Sequence, residues 1–253
     1  MPLLYIKQTM NEHSPVLQYP VRLNVYLARK GYSTRRGADE LIRAGKVTIN
    51  GAVATLGQKV HERDAIVVQD VRAKDSYTYL AYHKPKGVVT HGAQKGEEEI
   101  LDRLHKVDPS LTVFPVGRLD KKSTGLILLT DDGRIVEPLL SPQSGHEKEY
   151  RVTVNERIRT EFITRMEQGV DIGGYVTKPC TVRKTGPHTF TIRLTEGKNH
   201  QIKRMCSALG YTVNELMRTR IMHIRLGRLR TGTYRHIKEQ ELQELLSALS
   251  LSA

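Results

Sequence analysis

From residue 77 to residue 250, strand-like and helical runs follow one another in no regular order, and this irregularity constrains the fold most. The strand-like runs are YTYLAYHKP at 77–85, LILLT at 126–130, YRVTV at 150–154 and TFTIRLT at 189–195. The helical runs are EEEILDRLHKV at 97–107, RTEFITRMEQG at 159–169, HQIKRMCSALG at 200–210 and EQELQELLSALS at 239–250. A doubly wound sheet needs βαβ units at steady spacing. None is present, so the pattern points to an α+β domain.

A shorter block of different texture precedes it. Leu23, Tyr26 and Leu27 recur at helical spacing and Gly31 follows, a residue suited to the position past a helix end. Ser33 is placed to cap a second helix carrying Arg35, Arg36, Ala38, Leu41 and Ile42, which stops at Gly45. The runs on either side of Asn50-Gly51 read as a hairpin, because both turn residues tolerate positive φ. AIVV at 65–68 supplies a third strand. The expected organisation is a loose leader at 1–20, a small module at 21–70, a polar linker at 71–77 and a large domain at 78–253.

Forty Lys+Arg against 27 Asp+Glu leave a formal charge of +13, which favours an anionic partner, nucleic acid or an acidic membrane surface. No run of eighteen apolar residues occurs, and MPLLYIKQTM lacks the basic start and long apolar core of a signal peptide, so a cytoplasmic protein that does not enter a membrane is expected. Cys180 and Cys206 form no CxxC pair and read as reduced thiols. The ten histidines show no HExxH spacing, and neither a Walker loop nor a GxGxxG is present. No metal, nucleotide or other cofactor is expected.

Basic residues cluster twice. Between Val21 and Asp70 there are nine basic against five acidic side chains; Arg29, Lys30, Arg35, Arg36, Arg43 and Lys46 suit a phosphate-facing surface, or else a solvated helical face. Residues 216–235 contain Arg218, Arg220, Arg225, Arg228, Arg230 and Arg235 with no acid, which reads as a second phosphate surface.

GRLDKKSTGLILLTDDG at 117–133 is the densest candidate for chemistry. Asp120 sits on a polar loop that runs into an apolar strand, next in sequence to Arg118, Lys121 and Lys122. Nearby cations should keep such a carboxylate ionised, which suits nucleophilic or base chemistry. The same residue also fits a turn in which it only caps backbone N–H groups.

RLNVYLARKGYSTRRGADELIRAGKVTINGAVATLGQKV, residues 22–60, resembles the S4 RNA-binding module. GRLD followed by STGLILLT resembles the signature of the ribosomal RNA pseudouridine synthases. HKPKG at 83–87, HEKEYRVTV at 146–154 and EGKNHQIKRMCSALGYTVNELMRTRI at 196–221 resemble further blocks of that family, in order. The resemblance spans about residues 21–245, and HEKEYRVTV with GVDIGGYVTKPCTV at 169–182 is most similar to the subgroup acting on large-subunit rRNA. It implies an S4 module followed by a synthase domain with a mixed, mainly antiparallel sheet. It implies Asp120 as catalytic carboxylate, Tyr150 as the ring stacking on the target base, and Lys203 as the cation partnering Asp120. RNA contacts are expected from Arg118, Lys84, Arg204, Arg35, Arg36, Arg218 and Arg220. The expected partner is structured RNA, large-subunit rRNA first and tRNA second, bound by a monomer. His83, Lys122 and Lys203 depart from the residues more usual at those places. Charge and the S4 module alone leave open a non-catalytic rRNA-binding or assembly factor. A carboxylate-dependent nuclease is disfavoured, since no cluster of acids surrounds Asp120 in the sequence.

Overall fold

The computed structural model describes residues 19–69 and 76–251; most of the leader expected at 1–20 and most of the linker expected at 71–77 lie outside them. The small module runs β1 (Val21–Arg22), α1 (Leu23–Arg29), α2 (Arg35–Arg43), β2 (Val47–Ile49), β3 (Ala52–Val53), β4 (Lys59–Val60) and β5 (Ile66–Val68). Thr34, not Ser33, caps α2: it holds the extended backbone before the helix, and its hydroxyl accepts from Gly37 N at 3.0 Å. Asn50 and Gly51 both have positive φ, 51° and 84°, as a type I′ hairpin turn requires. β2 lies between β3 and β5, and the helices close over Val47, Ile49 and Val60 through Leu23, Leu27, Ala38 and Ile42.

The large domain continues with β6 (Tyr79–Lys84), α3 (Ile100–His105), β7 (Phe114–Val116), β8 (Thr124–Thr130), a single 3-10 turn (Gly133–Ile135) and α4 (Val136–Leu140). β9 (Lys148–Val154), α5 (Thr160–Gln168), β10 (Thr181–Lys184) and β11 (Thr189–Leu194) follow. The chain ends on α6 (Gln201–Ala208), β12 (Val213–Ile221), β13 (Ile224–Arg225), β14 (Tyr234–His236) and α7 (Glu239–Ala248). One sheet runs β10-β11-β9-β12-β8-β6-β14, with β7 and β13 at its sides. Every pairing is antiparallel except β12 with β8, which is parallel. The fold is α+β, as the irregular pattern predicts.

Burial on both faces explains the uninterrupted apolar run LILL. Leu126 and Leu128 face a core that includes Ile135, Leu139, Leu245 and Leu246, while Ile127 and Leu129 face one that includes Ile100 and Leu104. On the β9 side, Val152, Val154, Phe190 and Ile192 pack against Phe162 and Met166 of α5 and Ile202 and Met205 of α6. Tyr150 belongs to the margins of both the α3 core and the α5–α6 core, and so marks their seam.

Along the main run of the sheet, β8 and β12 share the fewest paired residues. Only Thr124 with Met217 and Gly125 with Arg218 are paired, and the strands then part. A Cβ on Gly125 would lie 2.3 Å from Arg218 O, and Gly125 has φ 108°, so only glycine permits this approach. Ser123, just before β8, and Leu216 and Arg218 of β12 line a cleft at this junction.

The basic segment at 216–235 is the main departure from the expected pattern. Residues 213–221 form the nine-residue central strand β12, which its density of arginines conceals. Its acids come from elsewhere in the chain: Arg220 Nη2 pairs with Glu147 at 2.9 Å and Glu149 at 3.6 Å, and Arg235 pairs with Glu241 at 2.5 Å. Arg218 and Arg220 are buried, so neither stands on an outer phosphate surface. Arg29 likewise turns to the large domain and pairs with Glu137, while Arg35 and Arg36 remain exposed.

Candidate active site

The cleft encloses roughly 740 Å³ and is lined by Arg118, Leu119, Asp120, Tyr150, Lys148, His200 and Arg218, among others. Asp120 lies on the loop between β7 and β8, and the loop's backbone is fastened from below by the HKPKG segment. Lys84, fully buried, donates through Nζ to Ser123 O at 2.8 Å and Pro85 O at 2.9 Å; Gly87 N donates to Lys121 O at 2.8 Å. Thr90 Oγ1 donates to Leu119 O at 2.8 Å and accepts from Leu119 N at 3.1 Å, so the residue before Asp120 is held on both sides. Burial pulls the Lys84 ammonium down to about 8, partly offset by the Asp120 charge. The expectation that Lys84 contacts RNA fails: it is a brace inside the protein, out of reach of a ligand.

Two groups from the start of α6 meet the Asp120 carboxylate. Lys203 Nζ donates to Oδ2 at 2.7 Å, joining residues 83 apart in sequence. His200 Nε2 lies 3.3 Å from Oδ1. The pairing with Lys203 is the one the family resemblance implies; that with His200 is not. His200 shares a helical face with Lys203, a pattern that reads as solvated polar surface. Its left-handed backbone, φ 51°, turns the side chain to the carboxylate instead. A buried Glu196 steadies this turn, accepting from Tyr175 OH at 2.5 Å, Lys178 N at 3.0 Å and Gln201 Nε2 at 2.7 Å.

Neighbours in sequence are not the neighbours of Asp120 in space. Lys121 pairs with Glu97 at 2.7 Å, and Lys122 is exposed. Arg118 is exposed at the cleft rim. Arg204 is exposed and donates to Ile172 O, which ties it to the turn before β10 rather than to Asp120. Tyr150 is half-buried, with its ring in the cleft wall. Among the described residues no group of three or more His, Cys, Asp or Glu gathers as a metal site would need.

The site therefore offers one carboxylate held from two sides, an aromatic wall and a cation-rich floor. That set can attack or deprotonate at a sugar carbon while a flat base rests on the ring. Known proteins are similar to this chain along most of its length. The RNA pseudouridylate synthase family matches residues 78–208, and the S4 domain matches 21–66. The dual-specificity RNA pseudouridine synthase RluF of Escherichia coli K12 is 41% identical over 237 residues, covering 92% of this chain and 81% of its own. Ribosomal large subunit pseudouridine synthase B of Vibrio cholerae is 35% identical, covering 79% of this chain and 65% of its own. A crystal structure of a pseudouridylate synthase superposes with a TM-score of 0.65 at 28% identity, covering 89% of this chain and 99% of its own. An RNA-binding factor without chemistry does not account for these matches. The chain belongs to the RNA pseudouridylate synthase family, as an enzyme that carries an S4 domain ahead of its catalytic domain.

Proposed function

We propose that the protein converts a uridine of large-subunit ribosomal RNA to pseudouridine, with Asp120 as the catalytic carboxylate. The observation that carries this is the 2.7 Å contact of Lys203 Nζ with Asp120 Oδ2 inside the cleft. Two parts share the work: residues 21–70 hold RNA and residues 78–253 do the chemistry. The reaction breaks the bond from uracil N1 to C1′, turns the base and joins C5 to C1′. A stacked nucleotide exposes neither C1′ nor both edges of its base, so the uridine is flipped out, at a cost of a few kcal/mol.

Tyr150 stacks on the extruded uracil, worth about 1–3 kcal/mol. Arg118, exposed at the rim, fills the vacated place with its planar guanidinium. Asp120 attacks C1′ or removes the 2′ proton, while Lys203 orients the carboxylate and supplies opposite charge. Tyr150 also moves the C5 proton at the close. Arg35 and Arg36, exposed on α2, contact phosphate. Large-subunit rRNA as substrate rests on the name of the Vibrio cholerae relative and on HEKEYRVTV. A cytoplasmic location agrees with two free cysteines, one of them buried.

Incubation with uridine-labelled 23S rRNA, 16S rRNA and tRNA, without added metal, tests the reading. Pseudouridine in 23S rRNA supports it; pseudouridine only in tRNA moves the substrate, and strand cleavage or no change contradicts the chemistry. Mapping pseudouridines in cells with and without the gene then locates the target nucleotide.

A further inference from the structure

Arg218 and Lys148 stand apart from the other cations around β12. Arg218 is 6% exposed; its Nε donates to Leu126 O at 2.7 Å, and its Nη2 is buried without any acceptor. Lys148 reaches only Leu139 O, at 3.5 Å, too long to contribute much. Among the described residues no carboxylate pairs with either, whereas Arg220 and Arg235 each have one.

The sheet register sets where they point. Lys148 and Tyr150 are two apart on β9 and share a face. Arg218 lies directly across from Tyr150 on β12, and so on that same face. A register shift after Arg218 then puts Arg220 opposite Glu149, on the reverse side. Lys148, Tyr150 and Arg218 thus line one patch of the cleft. Burial holds the Lys148 ammonium below its ordinary range, and the Arg218 charge pushes it lower still. Desolvated cations are rarely left unpaired, because each loses water without a compensating charge. Among the described residues no carboxylate supplies that compensation to Lys148 or Arg218.

We propose that Lys148 and Arg218 form an oxyanion subsite for the carbonyl oxygens of the target uracil. The proposal rests on the reading that the base stacks on Tyr150. When the bond from N1 to C1′ breaks, its electron pair stays with the uracil, and the negative charge spreads over N1, O2 and O4. C1′ is captured by the Asp120 carboxylate or relieved by loss of the 2′ proton, and both routes release the same uracil anion. C5 then bonds to C1′ and gives up its proton, N1 takes one, and any proton removed from C2′ returns, so the composition is unchanged. Cations beside O2 and O4 gain most once this charge has developed, so they lower the barrier more than they tighten binding. An RNA phosphate is the other electron-rich oxygen donor, but exposed cations such as Arg118 and Lys198 at the rim suit it better than a buried arginine beside the stacking ring.

The test compares Lys148→Met, Arg218→Met and Arg218→Lys with wild type, by single-turnover rate at saturating rRNA fragment and by Kd at several salt concentrations. Each Met variant should lose on the order of 10²–10³-fold in rate, as removal of an oxyanion donor does, with Kd within a few-fold and the salt slope unchanged. Arg218→Lys should recover part of the rate lost in Arg218→Met. Wild-type rates, or weaker Kd with a salt slope flatter by about 0.7 and an unchanged rate, would overturn the proposal. Lys148 is half-buried and has one weak contact, so Lys148→Met decides the matter if Arg218→Met melts. Tyr150→Leu separates the two layers of the reading. If it too is indistinguishable from wild type, the stacking assignment has failed; if it alone is slow, only the subsite has.

Discussion

At the scale of single residues, the Asp120 carboxylate meets groups far from it in sequence, Lys203 and His200. Lys203→Met removes the cation at 2.7 Å and should slow turnover on the order of 10²-fold while leaving RNA affinity within a few-fold, read by single-turnover assay and filter binding. Full activity would shift the role to His200, the other group on the carboxylate, since Arg204 is tied to Ile172 O. Lys84 gives a pH-dependent prediction. Its folded value of about 8 lies below the 10.5 of a free lysine, so between those values the unfolded chain holds more protons. Its contribution to stability therefore rises with pH across that window, and its burial penalty is fully present below it. Denaturant midpoints at pH 7 and pH 9.5 should show wild type gaining on Lys84→Met; parallel shifts would contradict it. The contact of Asp120 with Lys203 and the place of Tyr150 in the same cleft were legible through their motifs. His200 was not, because a helical wheel cannot show a left-handed residue at the helix start. Lys121 and Lys122 misled, because adjacency along a loop says nothing of which way a long side chain turns.

Among the elements, Gly125 is the point where two strands touch most closely. Gly125→Ala places a Cβ 2.3 Å from Arg218 O at φ 108°, a backbone and steric penalty together. It should destabilise by at least about 2 kcal/mol, a fall in Tm of roughly 4–8 °C for a domain of this size. A Tm within 1 °C of wild type, on a scale of roughly 2–4 °C per kcal/mol, would show that β8 and β12 move apart freely. Periodicity and turn chemistry revealed both helices and the hairpin of the small module, and the four helical runs of the large one. They concealed β12, the middle of the sheet, because its alternation is broken by the shift after Arg218 and its arginines read as surface. Arg220 is paired with Glu147 and Glu149 from another part of the chain, and such a pairing leaves no local signature.

For the molecule as a whole, the S4 domain lies ahead of the synthase domain and meets it through polar contacts. Arg29 pairs with Glu137, and Tyr77 OH donates to Gly31 O at 3.3 Å. Removing residues 1–72 should leave a folded catalytic domain with weaker RNA binding. The slope of log K against log salt should flatten by about 0.7–0.9 for each phosphate that the small module neutralises. An unchanged slope would return Arg35 and Arg36 to the role of solvated helix surface. The same separation makes the full-length Asp120→Asn protein the most direct test of the central claim. The amide keeps the shape of the carboxylate and loses its charge and nucleophilicity. Pseudouridine formation on 23S rRNA, measured in single turnover beside Kd for the same RNA, should fall below about one per cent of wild type, the ~10²-fold or more expected when a catalytic group is removed. Affinity should stay within a few-fold. Turnover well above that level, with binding intact, would contradict Asp120 as the catalytic carboxylate.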